Sequence, residues 1–201
     1  MRNLIKMVVV MTILSALSGG LLAGVRGAVR ERIKGQELAF LKGPAIKELM
    51  KGAQGDPVES RFTLKGKDSE TVVFVGVFDG APKAVALEAS GKGYGKTPVS
   101  VLTAINLDDD TIRGVAVTTH SETPGLGARA KTDPSFAKGF AGLSALEPVK
   151  VKAEGGKIDA LSGATITSKG VCMAVTRACE LYRSQKAEIV KQAQSALKGN
   201  T

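Results

Sequence analysis

The chain is poor in the residues that build disulfide scaffolds, metal centres and base-stacking surfaces. Its 201 residues include two cysteines, one histidine and no tryptophan, and only 4% of them are aromatic. Two cysteines exclude a disulfide scaffold, and a lone histidine excludes a histidine-rich metal site. Because aromatic residues are scarce and are not interleaved with basic ones, we predict that the chain binds no nucleic acid. The sequence also contains no iron–sulfur or haem motif.

The chain is basic and rich in glycine. There are 28 Lys and Arg residues against 19 Asp and Glu, which gives a net charge of +9, and 24 glycines. With 43% hydrophobic and 23% charged residues, the chain is neither a disordered tail nor a polytopic membrane protein. The positive charge is compatible with an acidic partner or an anionic membrane surface.

An apolar run lies near the N-terminus. The 19 residues from Met7 to Val25 carry no charge, and as a helix they would span roughly 28 Å, close to a hydrocarbon core of about 30 Å. A cleaved signal peptide is the alternative, since it shares the basic start at Arg2 and Lys6. The run exceeds the usual apolar region of about 7–15 residues and no Ala-x-Ala site follows, which favours an uncleaved transmembrane anchor. Basic residues flank both ends, so charge alone leaves the orientation open.

The rest of the sequence is long enough for one compact domain with its own core. We place an N-terminal segment that contains the transmembrane helix in residues 1–30, and the domain in residues 31–201. Residues 26–50 are predicted to be helical, with a break at Gly43-Pro44.

Predicted strands precede the predicted helices of the domain. Runs rich in β-branched residues predict five strands, at Arg61–Lys65, Thr71–Phe78, Ala84–Ser90, Val99–Asn106 and Thr111–His120. A short helix, a short strand and a long helix follow, at Pro134–Leu143, Val149–Ala153 and Ser168–Lys198. Because strands and helices do not alternate regularly, we predict an α+β fold, in which helices cover a mostly antiparallel sheet and a long helix ends the chain.

Two glycine-rich stretches nearly match nucleotide-binding motifs. Gly91–Thr97 is close to a P-loop, but Ser90 occupies the position of the first required glycine, and a predicted strand rather than a helix follows. Gly125–Ala130 fits G-x-G-x-x-A, but no βαβ unit surrounds it. We therefore reject both motifs. His120–Gly127 nevertheless gathers a carboxylate, hydroxyls and two glycines on one loop, and Tyr94 lies among glycines, so its ring is expected to be exposed.

The most specific stretch of the sequence lies before the long predicted helix. Residues Asp159–Ser168 contain four hydroxyl side chains within seven positions. Hydroxyl residues commonly cap the start of a helix, and capping alone would account for Thr167 or Ser168. It does not account for Thr165, because the small residues before it leave its hydroxyl accessible. The start of a helix is also a favourable place for a phosphate group.

These motifs resemble those of a known family. Ser162–Ser168, with Asp159 upstream, resembles the attachment motif of proteins in which a flavin transferase joins the phosphate of FMN to the last Thr of Ser/Thr-Gly-Ala-Thr. His120–Gly127 and Gly93–Gly95 are similar to the FMN-binding domain of the same family. A single N-terminal helix before such a domain resembles the G subunit of the Rnf electron-transport complex. Its close relative is the C subunit of the sodium-translocating NADH:quinone oxidoreductase.

The resemblance implies a position for each part of FMN. Thr165 would hold FMN covalently through a phosphoester, and Asp159 would belong to the sequence that the transferase recognises. The turn around the phosphate would be formed by Ser162, Gly163, Ala164, Ile166 and Thr167. The flavin ring would lie against Glu122, Thr123, Leu126 and Gly127, with Tyr94 and Gly95 nearby. FMN would be the only redox group of the chain.

The resemblance also implies an electron relay that has no small-molecule substrate of its own. It would act in a bacterial or archaeal ion-translocating complex between ferredoxin and NAD, with other membrane and redox subunits as partners and a flavin transferase for maturation. The single-pass protein would lie in the cytoplasmic membrane, with its FMN domain on the outer, periplasmic side. Two alternatives stay open. One is a flavin subunit of the NADH:quinone complex or of another extracytoplasmic relay. The other is a basic anchored module for anionic lipid or nucleic acid, of which the scarcity of aromatic residues disfavours nucleic acid.

Three more side chains could carry chemistry. Cys172 and Cys179 are seven residues apart on the long predicted helix, about 10.5 Å along its axis, which is too far for a disulfide. We predict that both pack in the core. His120, at the end of a predicted strand, is either a structural residue or one placed near the flavin.

Overall fold

A change of helix type near residue 43 separates the two parts of the chain. A computed structural model describes residues 2–65 and 70–198. The chain divides into two compact units, Met1–Lys42 and Gly43–Thr201. The break predicted at Gly43-Pro44 therefore falls at the boundary between the units.

The first unit is helical. Helix α1 (Arg2–Gln36) continues into a π-helical segment, Glu37–Lys42. Over Arg2–Val29 the helix is long and apolar enough to cross a membrane by length and composition, and none of its most apolar stretch is buried within the structure. A signal sequence near an N-terminus passes the same test. The helix is thus compatible with the predicted anchor.

The second unit is built on a five-stranded antiparallel sheet. Its strands pair in chain order, so that each lies beside its neighbour in sequence. They are β1 (Arg61–Lys65), β2 (Glu70–Phe78), β3 (Ala81–Gly91), β4 (Val99–Asn106) and β5 (Ile112–Thr119). The turn between β2 and β3 has positive φ angles of 52° at Asp79 and 75° at Gly80, as a tight hairpin requires. The predicted antiparallel sheet and its five strands are confirmed.

Helices precede and follow the sheet. Helix α2 (Gly43–Leu49) comes before β1. After β5 come two short helices, a 3-10 turn and one long helix, namely α3 (Arg129–Thr132), α4 (Pro134–Lys138), Lys152–Glu154 and α5 (Thr165–Lys198). The long C-terminal helix and the α+β class are therefore confirmed. Gln185 interrupts α5 with a φ of −125° and marks a kink.

The helix predicted over Pro134–Leu143 is too long. It ends at Lys138 and continues only as turns, after which the backbone bonds to the sheet. The N–H of Gly142 donates to the carbonyl of Ile112 at 2.8 Å, and the N–H of Ile112 donates to the carbonyl of Leu143 at 2.7 Å.

The strand predicted over Val149–Ala153 does not form. The Thr176 hydroxyl of α5 bonds to both backbone groups of Val149, since it accepts from the N–H at 3.0 Å and donates to the carbonyl at 3.1 Å. Val151 makes an isolated bridge with Ile158, and both side chains are buried. The β-branched residues here therefore reflect burial rather than membership of the sheet.

Helix α5 covers one face of the sheet and α2 the other. Val85 and Val101 belong to the same buried cluster as Val175 of α5. On the opposite face, Met50 follows α2 and lies over Gly76, where an added Cβ would come 2.6 Å from the methionine sulfur. The sheet is thus the middle layer of the domain, and its one long helix is fixed by apolar packing.

Both cysteines lie on the buried side of α5. Cys172 and Cys179 are free and buried, which confirms the predicted role in core packing. Burial raises the pKa of the Cys172 thiol to about 12 and that of Cys179 to about 11. Both sulfurs therefore stay protonated at neutral pH and are poor nucleophiles.

Glycines allow α5 to lie directly against the end of β3. An added Cβ on Gly91 would come 1.9 Å from the carbonyl oxygen of Gly170, and one on Gly170 would come 2.9 Å from the Cα of Gly93. No side chain fits between these backbones. The first turns of α5 are consequently held next to the loop that follows β3.

Candidate functional site

The residues assigned to FMN by resemblance converge on one cavity of about 590 Å³. Three separate segments form its wall: the loop after β3, the loop after β5 and the start of α5. Ten of the twelve assigned residues line it, and they are Tyr94, Glu122, Thr123, Leu126, Gly127, Gly163, Ala164, Thr165, Ile166 and Thr167. The volume lies within the range of about 300–1,000 Å³ that is usual for small-molecule sites.

A buried carboxylate joins the three segments. Glu122 is only 6% exposed, and its Oε1 accepts a hydrogen bond from the N–H of Gly95 at 2.9 Å. Its Oε2 accepts one from the N–H of Tyr94 at 3.3 Å and another from the Thr167 hydroxyl at 2.5 Å. The side chain therefore fixes the loop after β3 and the first turn of α5 to the loop after β5.

Two glycines give this carboxylate the space it occupies. An added Cβ on Gly93 would come 2.3 Å from Glu122 Oε1, and one on Gly127 would come 2.8 Å from Oε2. At Gly127 the same Cβ would also meet the Thr167 hydroxyl at 2.6 Å. The glycines at these positions are thus explained by close packing around Glu122.

Helix α5 begins at Thr165, three residues earlier than the sequence predicts. Thr167 and Ser168 consequently lie inside its first turn and are buried, so capping of the helix does not account for them. The Ser168 hydroxyl instead accepts from the N–H of Leu161 at 3.0 Å and donates to the carbonyl of Ala164 at 3.0 Å. These bonds fold the preceding turn back onto the helix, so that Thr165 is the first helical residue.

The start of α5 offers an exposed hydroxyl beside unpaired backbone donors. The Thr165 side chain is exposed and lines the cavity. The first four N–H groups of an α-helix have no partner within the helix, and they carry a partial positive charge. Gly163, with a φ of 75°, turns the chain into this start. The arrangement can therefore accept a phosphate close to the Thr165 hydroxyl.

Apolar side chains form the exposed rim of the cavity. Tyr94 is 71% exposed, which confirms that its ring is not part of the core, and Leu126 and Ile166 are 47% and 54% exposed. Large exposed apolar groups around one opening are typical of a surface that covers a flat ligand or meets a partner. The rim thus differs from the polar, hydrogen-bonded floor around Glu122.

The other residues considered from the sequence lie outside the lining. Ser162 is exposed and Gly95 reaches the cavity wall only through its bond to Glu122. His120 accepts a hydrogen bond from the N–H of Glu122 at its Nδ1, 3.2 Å away, and is not a lining residue. Asp159 is 81% exposed and pairs with Lys152 at 2.8 Å.

Sequence reasoning missed the residues that support the loops. The Ser121 hydroxyl accepts a hydrogen bond from the N–H of Thr97 at 2.8 Å, and an added Cβ on Gly95 would come 2.4 Å from the Ser121 carbonyl oxygen. The roles of Ser168 and Gly170 were missed as well. A glycine within the helical pattern of α5 is the one signal that could have indicated close backbone packing.

Comparisons with known proteins match the region of the cavity. The FMN-binding domain family matches residues 93–180, which include every lining residue. The G subunit of the ion-translocating oxidoreductase complex of Cereibacter sphaeroides is 38% identical over 141 residues, covering 67% of this chain and 64% of that protein. The chain therefore spans slightly less than two thirds of this relative's length.

Two further similarities extend the comparison. The G subunit of the ion-translocating oxidoreductase complex of Methanosarcina acetivorans is 30% identical over 187 residues, and the match covers 92% of this chain and 97% of that protein. Among solved structures, the C subunit of the Na⁺-translocating NADH-quinone reductase of Parabacteroides distasonis has a TM-score of 0.48 and 28% identity. That match covers 67% of this chain and 72% of the other.

Proposed function

Because the chain belongs to the family of G subunits of ion-translocating oxidoreductase complexes, we propose that it is the FMN-carrying electron-transfer subunit of such a complex. The complex would be of the Rnf type, between ferredoxin and NAD. The curated relatives are named as G subunits of an ion-translocating oxidoreductase complex, which favours such a complex over the NADH:quinone oxidoreductase. Residues 31–201 would act as the FMN-binding domain, and residues 1–30 as the anchor segment.

The cavity fits FMN in size and in chemistry. Its volume of about 590 Å³ suits a ligand of this class, and it has a helix start for a phosphate and apolar side chains for a ring. Leu126 and Ile166 on the rim could cover a flat ring system. FMN, when bound, supplies the reversible uptake and release of electrons.

We further propose that Thr165 holds FMN through a phosphoester bond. The single observation that carries this proposal is the position of Thr165: it is the first residue of α5, its side chain is exposed, and it lines the cavity. The free N–H groups of the first turn would stabilise the remaining phosphate charge by roughly 0.3–1 kcal/mol, or up to about 2 kcal/mol where partly buried. So small a contribution holds free FMN weakly, and a covalent bond prevents its loss.

The surrounding residues would orient the cofactor. Gly163 and Ala164 leave room for the phosphate beside Thr165, because neither has a side chain larger than a methyl group. Thr123 and Leu126 would contact the ring from the loop after β5, and Tyr94 would cover it from the loop after β3. None of these roles requires a substrate site separate from the cavity.

The apolar helix and the family support a proposed location and a set of proposed partners. Helix α1 would hold the protein in the cytoplasmic membrane of a bacterium or archaeon as a single-pass subunit, with the flavin domain on the outer side. Other membrane and redox subunits would donate and accept electrons, and a flavin transferase would attach FMN.

The attachment is tested by expressing the full chain with a flavin transferase and examining the denatured protein on a gel. We expect flavin fluorescence in the wild type and none in Thr165→Ala. The intact mass of the wild type should include one FMN group joined through its phosphate. Thr123→Ala is the matched control, since it removes another exposed Thr hydroxyl from the same cavity and should keep the flavin. Fluorescence that survives in Thr165→Ala would refute the assignment. A wild-type chain that carries no flavin would favour the anchored lipid-binding module instead.

A further inference from the structure

Glu122 is a buried acid whose hydrogen-bond partners are all neutral. It is 6% exposed and accepts bonds from two backbone N–H groups, at Tyr94 and Gly95, and from the Thr167 hydroxyl. Among the side chains that the structure describes, no Lys, Arg or His forms an ion pair with it. Three donors and no acceptor are the partners that an ionised carboxylate requires.

Buried acids are usually paired with a cation because an uncompensated charge is costly in a poorly solvated site. Glu122 lines the cavity and forms no ion pair with any side chain that the structure describes, although the chain has nine more basic than acidic residues. Packing alone does not require a charge here, because a neutral amide of the same shape would also fill the space left by Gly93 and Gly127. The shape of the site therefore does not by itself account for an acid at this position.

A negative charge beside a flavin opposes reduction of the ring. A neutral ring that takes up two electrons and one proton gains one negative charge. A ring that takes up two electrons and two protons stays neutral. In a partly desolvated site, repulsion between like charges is stronger than in water. A carboxylate on the cavity wall consequently makes the one-proton product less favourable.

We propose that Glu122 lowers the reduction potential of the bound flavin through its charge, which hydrogen bonds stabilise but no ion pair neutralises, while the same hydrogen bonds position the three segments of the site. This inference rests on the proposed function, because it needs FMN in the cavity. It assigns Glu122 a role besides contact with the ring. The acid acts through the electric field and through the loops that it holds.

The test replaces the charge and keeps the shape. Glu122→Gln is made in the full chain, which is coexpressed with a flavin transferase, purified in detergent and titrated in a spectroelectrochemical cell, where the electrode supplies the electrons. We expect the covalent flavin to be retained and the midpoint potential to shift to a more positive value. A shift of at least tenfold in the two-electron equilibrium constant is expected, equivalent to about 30 mV.

Glu88→Gln is the matched control, because Glu88 is a half-buried acid on β3 that does not line the cavity. Its midpoint potential should equal that of the wild type. A flavinylated Glu122→Gln protein with an unchanged potential would overturn the inference and leave the proposed function intact. Absence of flavin from the wild type would instead overturn the proposed function.

A second variant tests the effect of the Glu122 charge on the flavin potential if the Glu122→Gln protein does not fold. Thr167→Val leaves the charge of Glu122 in place and keeps the side-chain shape at position 167. It removes the hydroxyl that donates a hydrogen bond to Glu122 Oε2. With less compensation by hydrogen bonding, the carboxylate should lower the potential further, so the midpoint should become more negative than in the wild type. A midpoint equal to or above that of the wild type contradicts the inference.

Discussion

Gly127 lies where a methyl group would come within 2.6 Å of the Thr167 hydroxyl and 2.8 Å of the Glu122 carboxylate. Real side chains essentially never approach a Cβ so closely, and both groups here are buried and hydrogen-bonded to each other. At the scale of single residues, the site therefore depends on glycine for packing, without any need for an unusual backbone angle at this position.

We predict that Gly127→Ala destabilises the protein by about 1–3 kcal/mol, the usual cost of overpacking a close-packed site. Urea unfolding of the detergent-solubilised chain measures this change. Gly139→Ala is the control, because the nearest atom to its added Cβ is 3.3 Å away and its φ of −60° suits alanine. A Gly127→Ala protein as stable as the control would contradict the packing argument.

Single residues were predictable where their role is local. Thr165 follows two small residues and Tyr94 lies between glycines, so the exposure of both can be inferred from the neighbours in sequence. The direction of the Glu122 carboxylate could not be inferred, because its partners lie 28 and 45 positions away. Only the packing of α5 against the end of β3 brings these groups together.

At the scale of elements, a polar contact ties α5 to the turn between β4 and β5. Asp110, with a φ of 54°, accepts hydrogen bonds from the Tyr182 hydroxyl at 2.6 Å and from Lys186 Nζ at 2.6 Å. Burial raises the pKa of Asp110, but the bonds from Lys186 and Tyr182 outweigh it and hold the pKa below the ordinary value of 3.8. The folded state thus binds its proton more weakly than the unfolded chain does.

A pH-dependent contribution to stability follows from this contact. Since the pKa of Asp110 is lower in the folded state, the stabilisation is fully present above pH 3.8 and is lost as the pH falls through the lower, folded value. We expect Asp110→Asn to lower the free energy of unfolding at pH 7 by about 1.5–3 kcal/mol, as for hydrogen bonds to a charged group. Urea unfolding of both proteins at neutral pH, and at a pH below the ordinary pKa, measures whether the difference shrinks.

Asp79→Asn provides the comparison, because Asp79 also has a positive φ, of 52°, but its ion pair with Lys83 is exposed. Its substitution should change the stability much less than that of Asp110. If the difference between the wild type and Asp110→Asn is as large in acid as at neutral pH, the charge on Asp110 does not stabilise the fold.

The elements themselves were predictable to different degrees. The strands were located well because each pairs with its neighbour in sequence and is bounded by a turn, so local pattern and tertiary structure agree. The start of α5 was placed too late, because the Ser168 hydroxyl bonds to Leu161 and Ala164 and extends the helix toward Thr165. The strand over Val149–Ala153 was wrong because burial under α5 resembles a strand pattern in sequence.

At the scale of the whole molecule, the net charge is divided unequally between the N-terminal apolar segment and the rest of the chain. The net charge of +9 consists of +2 before Val25 and +7 in the rest of the chain. The side chains of Leu14 and Leu17, in the middle of the uncharged run, are 61% and 67% exposed in the structure. An apolar helix with its side chains exposed along its length is suited to a lipid environment.

We predict that a double substitution, Leu14→Arg with Leu17→Arg, releases the protein from the membrane. Two arginines at the middle of a spanning helix raise the insertion free energy by about 5–7 kcal/mol. Carbonate extraction of membranes, followed by detection of the chain in the soluble and membrane fractions, measures the effect. The double Leu→Ile variant is the control and should stay in the membrane fraction. Retention of the arginine variant would contradict the anchor, and a mature mass that lacks the first residues would indicate a cleaved signal instead.

The in-order pairing of the strands has a consequence for the biosynthesis of the protein. Each hairpin of the sheet can form as soon as its second strand leaves the ribosome, since every strand pairs with the one made just before it. The cavity, by contrast, gains its last wall only when α5 has been synthesised and has settled against the end of β3. Thr165 lies on this last wall, as the first residue of α5, so a chain that ends before α5 would lack both the complete cavity and the proposed attachment residue and would remain colourless.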